Sequence, residues 1–116
     1  MTLMEKVNEM IRTFEPEDRE EVAKLILAAN DYVRGVSAML AENRNYFNRT
    51  GEELRTAKEE ADQTRRRCHN AFIDRTNMVN RMCASYQLEP IYTGGEARRE
   101  YGDFAMALVT AMFESR

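Results

Sequence analysis

Apolar residues recur at spacings of three and four through two long segments of the chain, and this periodicity constrains the fold more than any other feature. One segment runs from Glu17 to about Asn48 and the other from Gly51 to Tyr86. Such spacings place side chains on one face of an α-helix. The 116 residues include only five glycines and two prolines, too few turn formers for many short strands. The sequence therefore predicts an all-α fold, a single helical domain over residues 1–116.

Two shorter helices are predicted at the ends of the chain. Thr2-Leu3-Met4-Glu5 has the pattern of a capping box, and Pro16 ends the first helix and suits the first turn of the second. Pro90 and Gly94-Gly95 delimit a loop at Gln87–Gly95, and a last helix follows. The apolar residues assigned to the two short helices are Leu3, Val7, Met10, Ile11 and Phe14, and then Ala97, Tyr101, Phe104, Ala105, Leu108 and Met112. Loop residues Leu88, Ile91 and Tyr92 are expected to attach the loop to the core.

The two long helices are predicted to form an antiparallel hairpin. Thr50-Gly51-Glu52-Glu53 is a second capping box, so the connection at Arg49–Thr50 is tight. Residues whose numbers add to about 99 then lie side by side. Gly35 permits a bend or a close crossing of the helices. Because the long helices outrun the short ones that could cover them, a homo-oligomer is expected. The apolar stripes are Val22, Leu25, Ile26, Ala29, Val33, Val36, Leu40 and Phe47, and then Leu54, Ala57, Ala61, Cys68, Phe72, Val79, Met82, Cys83 and Tyr86.

A polar strip follows the third predicted helix beside its apolar stripe. At about 100° per residue, the strip consists of Asp62, Arg65, Arg66, His69, Ile73, Thr76, Asn77 and Asn80. Such a set indicates a half-buried, hydrogen-bonding surface rather than an open one. One interpretation is structural, with bonds to the 87–95 loop or the last helix. The other is a polar pocket around His69, Asn77 and Asn80, with Arg65 or Arg66 at its mouth.

The candidate chemistry is sparse, and catalysis is not expected. The single histidine, His69, lies level with Asn30 and Asp31 in the predicted hairpin, and Asp31 could orient it as a general base. There is no glycine-rich phosphate loop and no serine nucleophile motif. A helical polar surface with one histidine fits a binding role better than an enzyme.

No metal or cofactor is expected. Two cysteines and one histidine are too few for a structural zinc site. The pairs Glu17-x-x-Glu20 and Glu59-x-x-Asp62 resemble the carboxylates of Mg-dependent all-α nucleotide pyrophosphatases. In the predicted hairpin these pairs lie roughly 30 Å apart, so that only a dimer could bring them together. Cys68 and Cys83, about 22 Å apart along one helix, are expected to be buried and reduced.

Charge and hydropathy exclude other partners. The net charge is −3, whereas nucleic-acid-binding surfaces are usually strongly basic. In the run Arg65-Arg66-Arg67, Asp62 is placed to pair with Arg65 or Arg66. No stretch approaches the roughly 20 apolar residues that span a bilayer. We therefore expect neither a nucleic-acid partner nor a membrane association, and we expect a cytoplasmic location.

Three segments in the second half of the chain form a recognisable pattern. They are Arg66-x-x-His69-Asn70-x-x-Ile73-Asp74-x-x-Asn77-x-Val79-Asn80-Arg81, Glu89-Pro90-Ile91-Tyr92 and Arg99-x-x-Gly102-Asp103-Phe104. In this pattern the chain resembles small bacterial helical proteins classed as domains of unknown function. The resemblance implies a set of candidate ligand-binding positions, namely Arg66, His69, Asn77, Asn80, Arg81, Arg99 and Asp103.

Two hypotheses about function follow. The first is a non-catalytic interaction or regulatory module, whose exposed helix faces meet a protein partner or a second copy. The alternative is a protein that binds a small anion, such as a nucleotide or phosphorylated metabolite, in a polar pocket around His69, where acid–base chemistry could also occur. A bare apolar patch favours the first hypothesis, and a concave polar pocket favours the second.

Overall fold

The protein is all-α. The structure, a computed structural model, describes residues 2–44 and 51–114, with backbone alone at 37–44, 54 and 113–114. These ranges contain four helices and no strand. The helices are α1 (Leu3–Thr13), α2 (Pro16–Arg44), α3 (Gly51–Ser85) and α4 (Arg98–Glu114). The predicted fold class is confirmed, with two long helices and two shorter ones.

The beginnings of α1 and α2 follow from local chemistry. The Glu5 amide donates to Thr2 Oγ1 at 3.1 Å, which caps α1 as the capping box predicts. Pro16 is the first residue of α2, where its missing N–H costs nothing. Arg19 Nε donates to the Phe14 carbonyl at 2.9 Å and closes the corner between the two helices. Thr50 of the second capping box, the predicted turn at 49–50 and Phe47 lie outside the described residues.

Helices α2 and α3 pack side by side and run antiparallel. Arg75 on α3 forms an ion pair with Glu21 at 2.9 Å, while the ring of Tyr32 lies 5.4 Å from that of His69, measured between centroids. Residues with higher numbers on α2 thus contact residues with lower numbers on α3. The pairing is close to the predicted register. Gly35 lies against Cys68, and a Cβ placed on Gly35 would meet Cys68 Sγ at 3.6 Å. The helices therefore approach closely at this glycine, which is one of the two roles predicted for it.

The hydrophobic core lies where α1 and α4 cover one side of the α2–α3 pair. Phe72 has no exposed surface and stacks on Phe104 at 5.4 Å between centroids. Most core residues come from the predicted stripes. The buried set is Val7, Met10, Phe14, Val22, Leu25, Ala29, Tyr32, Phe72, Val79, Cys83, Ile91, Tyr101, Phe104, Ala105 and Leu108. We call this side of the pair the covered face and the opposite side the bare face.

Some core assignments were wrong. Ile11 is 43% exposed because α1 presents its Val7–Met10–Phe14 side to the core, and Ala97 is exposed because it precedes α4. Tyr32, which lies off the predicted stripe, is buried beside α4. Cys83 is fully buried, whereas Cys68 is only half-buried at the edge of the bare face; both are free thiols. The prediction of full burial holds for Cys83 and fails for Cys68.

The end of α3 is built by a left-handed residue, Gln87, with φ of 61°. The Leu88 amide donates to the Cys83 carbonyl at 2.8 Å and the Gln87 amide to that of Ala84 at 3.1 Å. These two bonds are those of a Schellman motif, which turns the chain away from the helix axis. The following loop is attached to the core by buried Ile91 and half-buried Leu88 and Tyr92, which confirms the predicted attachment.

Candidate functional site

The polar strip of α3 faces protein along one edge only. Arg65 and Thr76 are 4% and 0% exposed, and His69 and Asn80 are half-buried. Asn77 is exposed, so the prediction that it faces protein is wrong. Because each helical residue turns about 100°, Asn77 lies about 60° further from the core than Asn80. The loop and α4 therefore shield Asn80 from solvent but do not extend far enough round α3 to shield Asn77.

Asn80 holds the loop that follows α3. Its Oδ1 accepts from the amides of Ile91 at 2.9 Å and Tyr92 at 3.4 Å, while its Nδ2 donates to the Tyr92 carbonyl at 3.0 Å. A carboxamide has both an acceptor and donors, so this one side chain satisfies three backbone groups. Asn80 is therefore engaged within the protein, as the structural interpretation of the strip expects.

The ring of Tyr92 transmits this anchoring to α4. Its centroid lies 4.7 Å from those of both Tyr101 and Phe104, and its hydroxyl donates to the Gly95 carbonyl at 2.6 Å. The loop therefore reaches α4 through stacked aromatic rings.

A carboxylate is shared between two arginines one turn before His69. Asp62 Oδ1 accepts from Arg65 at 3.1 Å and Asp62 Oδ2 pairs with Arg66 at 3.0 Å. The sequence predicted one pairing or the other, and both form. The Arg65 side chain is only 5% exposed, whereas that of Arg66 is 69% exposed. A buried guanidinium is thus neutralised within its own helix.

His69 is enclosed by aromatic rings and lacks a carboxylate partner. Its ring centroid lies 5.4 Å from that of Tyr32 and 6.0 Å from that of Tyr101. Its Nδ1 is buried, and no described group donates to it or accepts from it. Burial first, and then the charges of Arg65 and Arg98, lower the pKa of His69. The imidazole is consequently neutral at pH 7.

Asp31 does not orient His69, contrary to the sequence expectation. Its side chain is exposed, and the ring of the next residue, Tyr32, takes the place beside the imidazole. One residue along a helix turns the direction by about 100°, which carries Asp31 towards the bare face. No described carboxylate is hydrogen-bonded to His69 Nδ1.

The seven candidate ligand-binding residues are divided between the interior and the surface. His69 and Asn80 lie half-buried beneath α4 and the loop. The other five are exposed on α3 and α4: Arg66, Asn77, Arg81, Arg99 and Asp103. The site expected around His69, Asn77 and Asn80 is therefore occupied largely by the protein's own rings and loop.

The sequence did not reveal a groove on the bare face between α2 and α3. The groove has room for about 280 Å³, and its lining includes no residue of α1 or α4. Leu27, one helical turn before the groove residue Asp31, is 63% exposed. The available signal was the position of Leu27, about 200° round the helix from the buried Leu25. The lining residues are Ala28, Asp31, Thr64, Arg67, Cys68 and Ala71.

The described ranges hold neither a cluster of metal ligands nor a membrane-spanning helix. Within residues 2–44 and 51–114, no three His, Cys, Asp or Glu side chains are grouped as metal ligands. None of the helices in these ranges has the length and apolar character needed to cross a membrane.

The family model described as "Protein of unknown function (DUF3232)" matches residues 2–116. The chain therefore belongs to this family, and the resemblance to a helical family of unknown function is confirmed. No curated protein and no solved structure matches the chain.

Proposed function

We propose that this member of the DUF3232 family is a non-catalytic helical interaction module that binds a protein surface through the bare face of α2 and α3. The observation that carries the proposal is the groove on that face, with Leu27, 63% exposed, one helical turn before the groove residue Asp31. Exposed apolar surface rimmed by polar residues marks interaction sites, and here Asp31, Thr64 and Arg67 rim the apolar part of the groove.

The shape of the molecule supports the same function. Its longest dimension is 54 Å, and α3 alone accounts for nearly all of it. Between residues 51 and 64 of α3, none of the side chains that the structure describes is buried, whereas five are buried between 65 and 85. The α2–α3 pair thus projects beyond the short helices and offers an extended surface.

The covered face supports binding rather than catalysis. Asn80 and Asp62 are engaged with the loop backbone and with two arginines. His69 lacks the carboxylate that would orient a general base. Regulation by a bound protein requires none of these groups to be free.

A photo-cross-linking experiment tests the proposal in the cells from which the protein comes. A photoreactive phenylalanine analogue replaces Leu27 on the bare face, and in a matched variant it replaces Met106 on α4, which is 52% exposed. We expect a discrete protein adduct from position 27 and none from position 106. Equal, diffuse labelling at the two positions would show that the bare face is ordinary surface.

His69 supports a second candidate, the binding of a small anion. The charges of Arg65 and Arg98 both act on His69 and Tyr32, and His69 Nδ1 lacks a partner. Such a cluster could receive a phosphate group if α4 moved. Inorganic phosphate and nucleoside phosphates would then raise the melting temperature in a saturable way, and Arg98→Ala would abolish the shift. Unchanged melting temperatures at millimolar concentration would exclude this candidate.

A further inference from the structure

We infer that the partner of the bare face is a second copy of this chain, related by a two-fold axis parallel to α2 and α3. This inference rests on the proposed function and specifies its partner. It follows from three features of the groove: its shape, its two unpaired charges and their common level along the helices.

The groove is large enough to receive an apolar side chain, with room for about 280 Å³. Its apolar lining consists of small residues, Ala28 on α2 and Cys68 and Ala71 on α3. Small side chains leave depressions into which a side chain of an opposing helix can pack. Leu27 is a large exposed apolar residue one helical turn before the groove residue Asp31. The same helix pair therefore carries both an apolar projection and a depression that can receive one.

Two opposite charges flank the groove without neutralising each other. Asp31 on α2 is exposed, and no described residue forms an ion pair with it. Arg67 on α3 is also exposed, and its recorded bond is a long one, 3.5 Å to Thr64 Oγ1. In contrast, Arg65, Arg66 and Arg75 each have a carboxylate partner. An acid and a base left unpaired on opposite sides of one groove are complementary to the same groove in a second copy.

The antiparallel register makes both contacts compatible with one symmetry axis. An axis parallel to the helices and within the interface places α2 of one copy over α3 of the other at the same level. Asp31 is about level with Arg67, and Leu27 with Ala71, because the residue numbers of both pairs add to 98, between the sums of 96 for Glu21–Arg75 and 101 for Tyr32–His69. Each Asp31 would then face Arg67 of the second copy, and each Leu27 would enter the depression at Ala71 of the second copy.

The available area suits a stable dimer. The shorter helix of the pair, α2, is about 44 Å long, and the pair is two helix diameters, about 20 Å, wide, so one face of it measures about 900 Å² per copy. A standard interface buries about 800 Å² per partner. The resulting assembly is a four-helix arrangement of two α2–α3 pairs, with α1 and α4 on its outer sides.

Sedimentation velocity on the full chain from 1 to 100 µM tests the inference. The wild-type chain is expected to sediment as a dimer, and Leu27→Arg to raise the dissociation constant at least tenfold. Met106→Arg introduces the same charge at another exposed apolar position and should leave it unchanged. Circular dichroism confirms that both variants are folded, as expected for substitutions at exposed sites.

Charge reversal tests the symmetry itself. Asp31→Arg and Arg67→Asp each place like charges together twice per dimer and should each weaken association. The double variant restores opposite charges and should recover most of the wild-type affinity. A general effect of charge on association would not restore the affinity in the double variant, so this recovery is specific to the proposed pairing.

The remaining outcomes separate this inference from the proposed function. A wild-type chain that is monomeric at 100 µM would overturn the second copy as partner. A dimer insensitive to Leu27→Arg and to both charge reversals would place the contact elsewhere and overturn it too. In either case, a cross-linked adduct between position 27 and a different protein would still support the interaction module. If no such adduct formed, the proposed function would be contradicted as well.

Discussion

The covered and bare faces of the α2–α3 pair both carry polar residues beside apolar ones, but the polar residues have different surroundings. On the covered face, Thr76 and Asn80 lie off the apolar stripe yet find hydrogen-bond partners, as Thr76 Oγ1 donates to the Phe72 carbonyl at 2.8 Å and Asn80 holds the loop. On the bare face, Asp31 and Arg67 lie beside apolar surface, and neither forms an ion pair with a described residue. The comparison shows that a polar residue beside a helical apolar stripe is structural where a neighbouring element covers it and available where none does.

The comparison also assigns the two faces different energetic roles. Side chains on the covered face lose contact with water on folding and therefore determine stability. On the bare face, Leu27, Asp31 and Arg67 stay exposed in the single chain, so they contribute little to its stability and are free to determine association. Substitutions on the two faces should separate these two properties, and the following variants test that separation in order of decreasing effect.

Phe72→Ala is expected to cause the largest loss of stability. Phe72 is fully buried and its ring contacts Tyr32, Tyr101 and Phe104, so its removal leaves a cavity between α2, α3 and α4. Such truncations cost about 3–5 kcal/mol. Urea denaturation followed by circular dichroism measures the loss. A cost below about 1 kcal/mol would mean that α4 is not packed on the covered face.

Asn80→Ala is expected to lower the free energy of unfolding by about 1–3 kcal/mol, because it leaves the Ile91 amide and the Tyr92 amide and carbonyl without their partner. The matched control is Asn77→Ala, an exposed asparagine three residues earlier, which should change stability by no more than about 0.5 kcal/mol. Both variants gain similarly in helix propensity. Equal denaturation midpoints for the two variants would contradict the anchoring role of Asn80.

Acidification is expected to destabilise the wild-type chain through His69, by less than about 1.4 kcal/mol per pH unit. Burial among Tyr32 and Tyr101, with Arg65 and Arg98 nearby, lowers the pKa of His69 in the folded state. The unfolded chain then binds a proton that the folded chain does not. Stability is therefore complete above the ordinary histidine pKa of about 6.5 and falls as the pH drops below it.

The control for the acid effect is His69→Phe, which keeps an aromatic ring in the same cage and removes the titrating group. Denaturation midpoints of both chains at pH 7.5, 6.5 and 5.5 measure the difference. As the pH falls, the denaturation midpoint of the wild type should decrease relative to that of His69→Phe. A gap independent of pH would show that His69 titrates normally.

Much of the fold could be predicted because it follows from local chemistry. The cap at Thr2, the start of α2 at Pro16 and the stripes of three-and-four spacing depend on residues within one or two turns of each other. The close crossing at Gly35 and the attachment of the loop by Ile91 were also predictable. In each case one residue type restricts the backbone or demands burial.

The position of α4 could not be predicted, and this explains most errors in the candidate site. Helical periodicity gives the direction of each side chain, but it does not show which of these side chains a neighbouring helix buries. Asn80 and Asn77 differ by about 60° in direction, and only the first lies under the loop. Likewise, Asp31 and Tyr32 are adjacent, but Tyr32 alone meets α4, where its hydroxyl donates to the Arg98 carbonyl. The bare groove was missed for the same reason.

Leu27→Ala is expected to give the smallest change in the stability of the single chain, no more than about 0.5 kcal/mol, because 63% of Leu27 is already exposed and alanine is the better helix former. The matched control is Leu25→Ala, two residues earlier on α2 and fully buried, with an expected cost of about 2–5 kcal/mol. Denaturation at sub-micromolar concentration keeps self-association from contributing. The same measurement at high protein concentration would reveal any contribution of Leu27 to the stability of a dimer. If Leu27→Ala were as costly as Leu25→Ala in dilute solution, the bare face would belong to the core of the single chain.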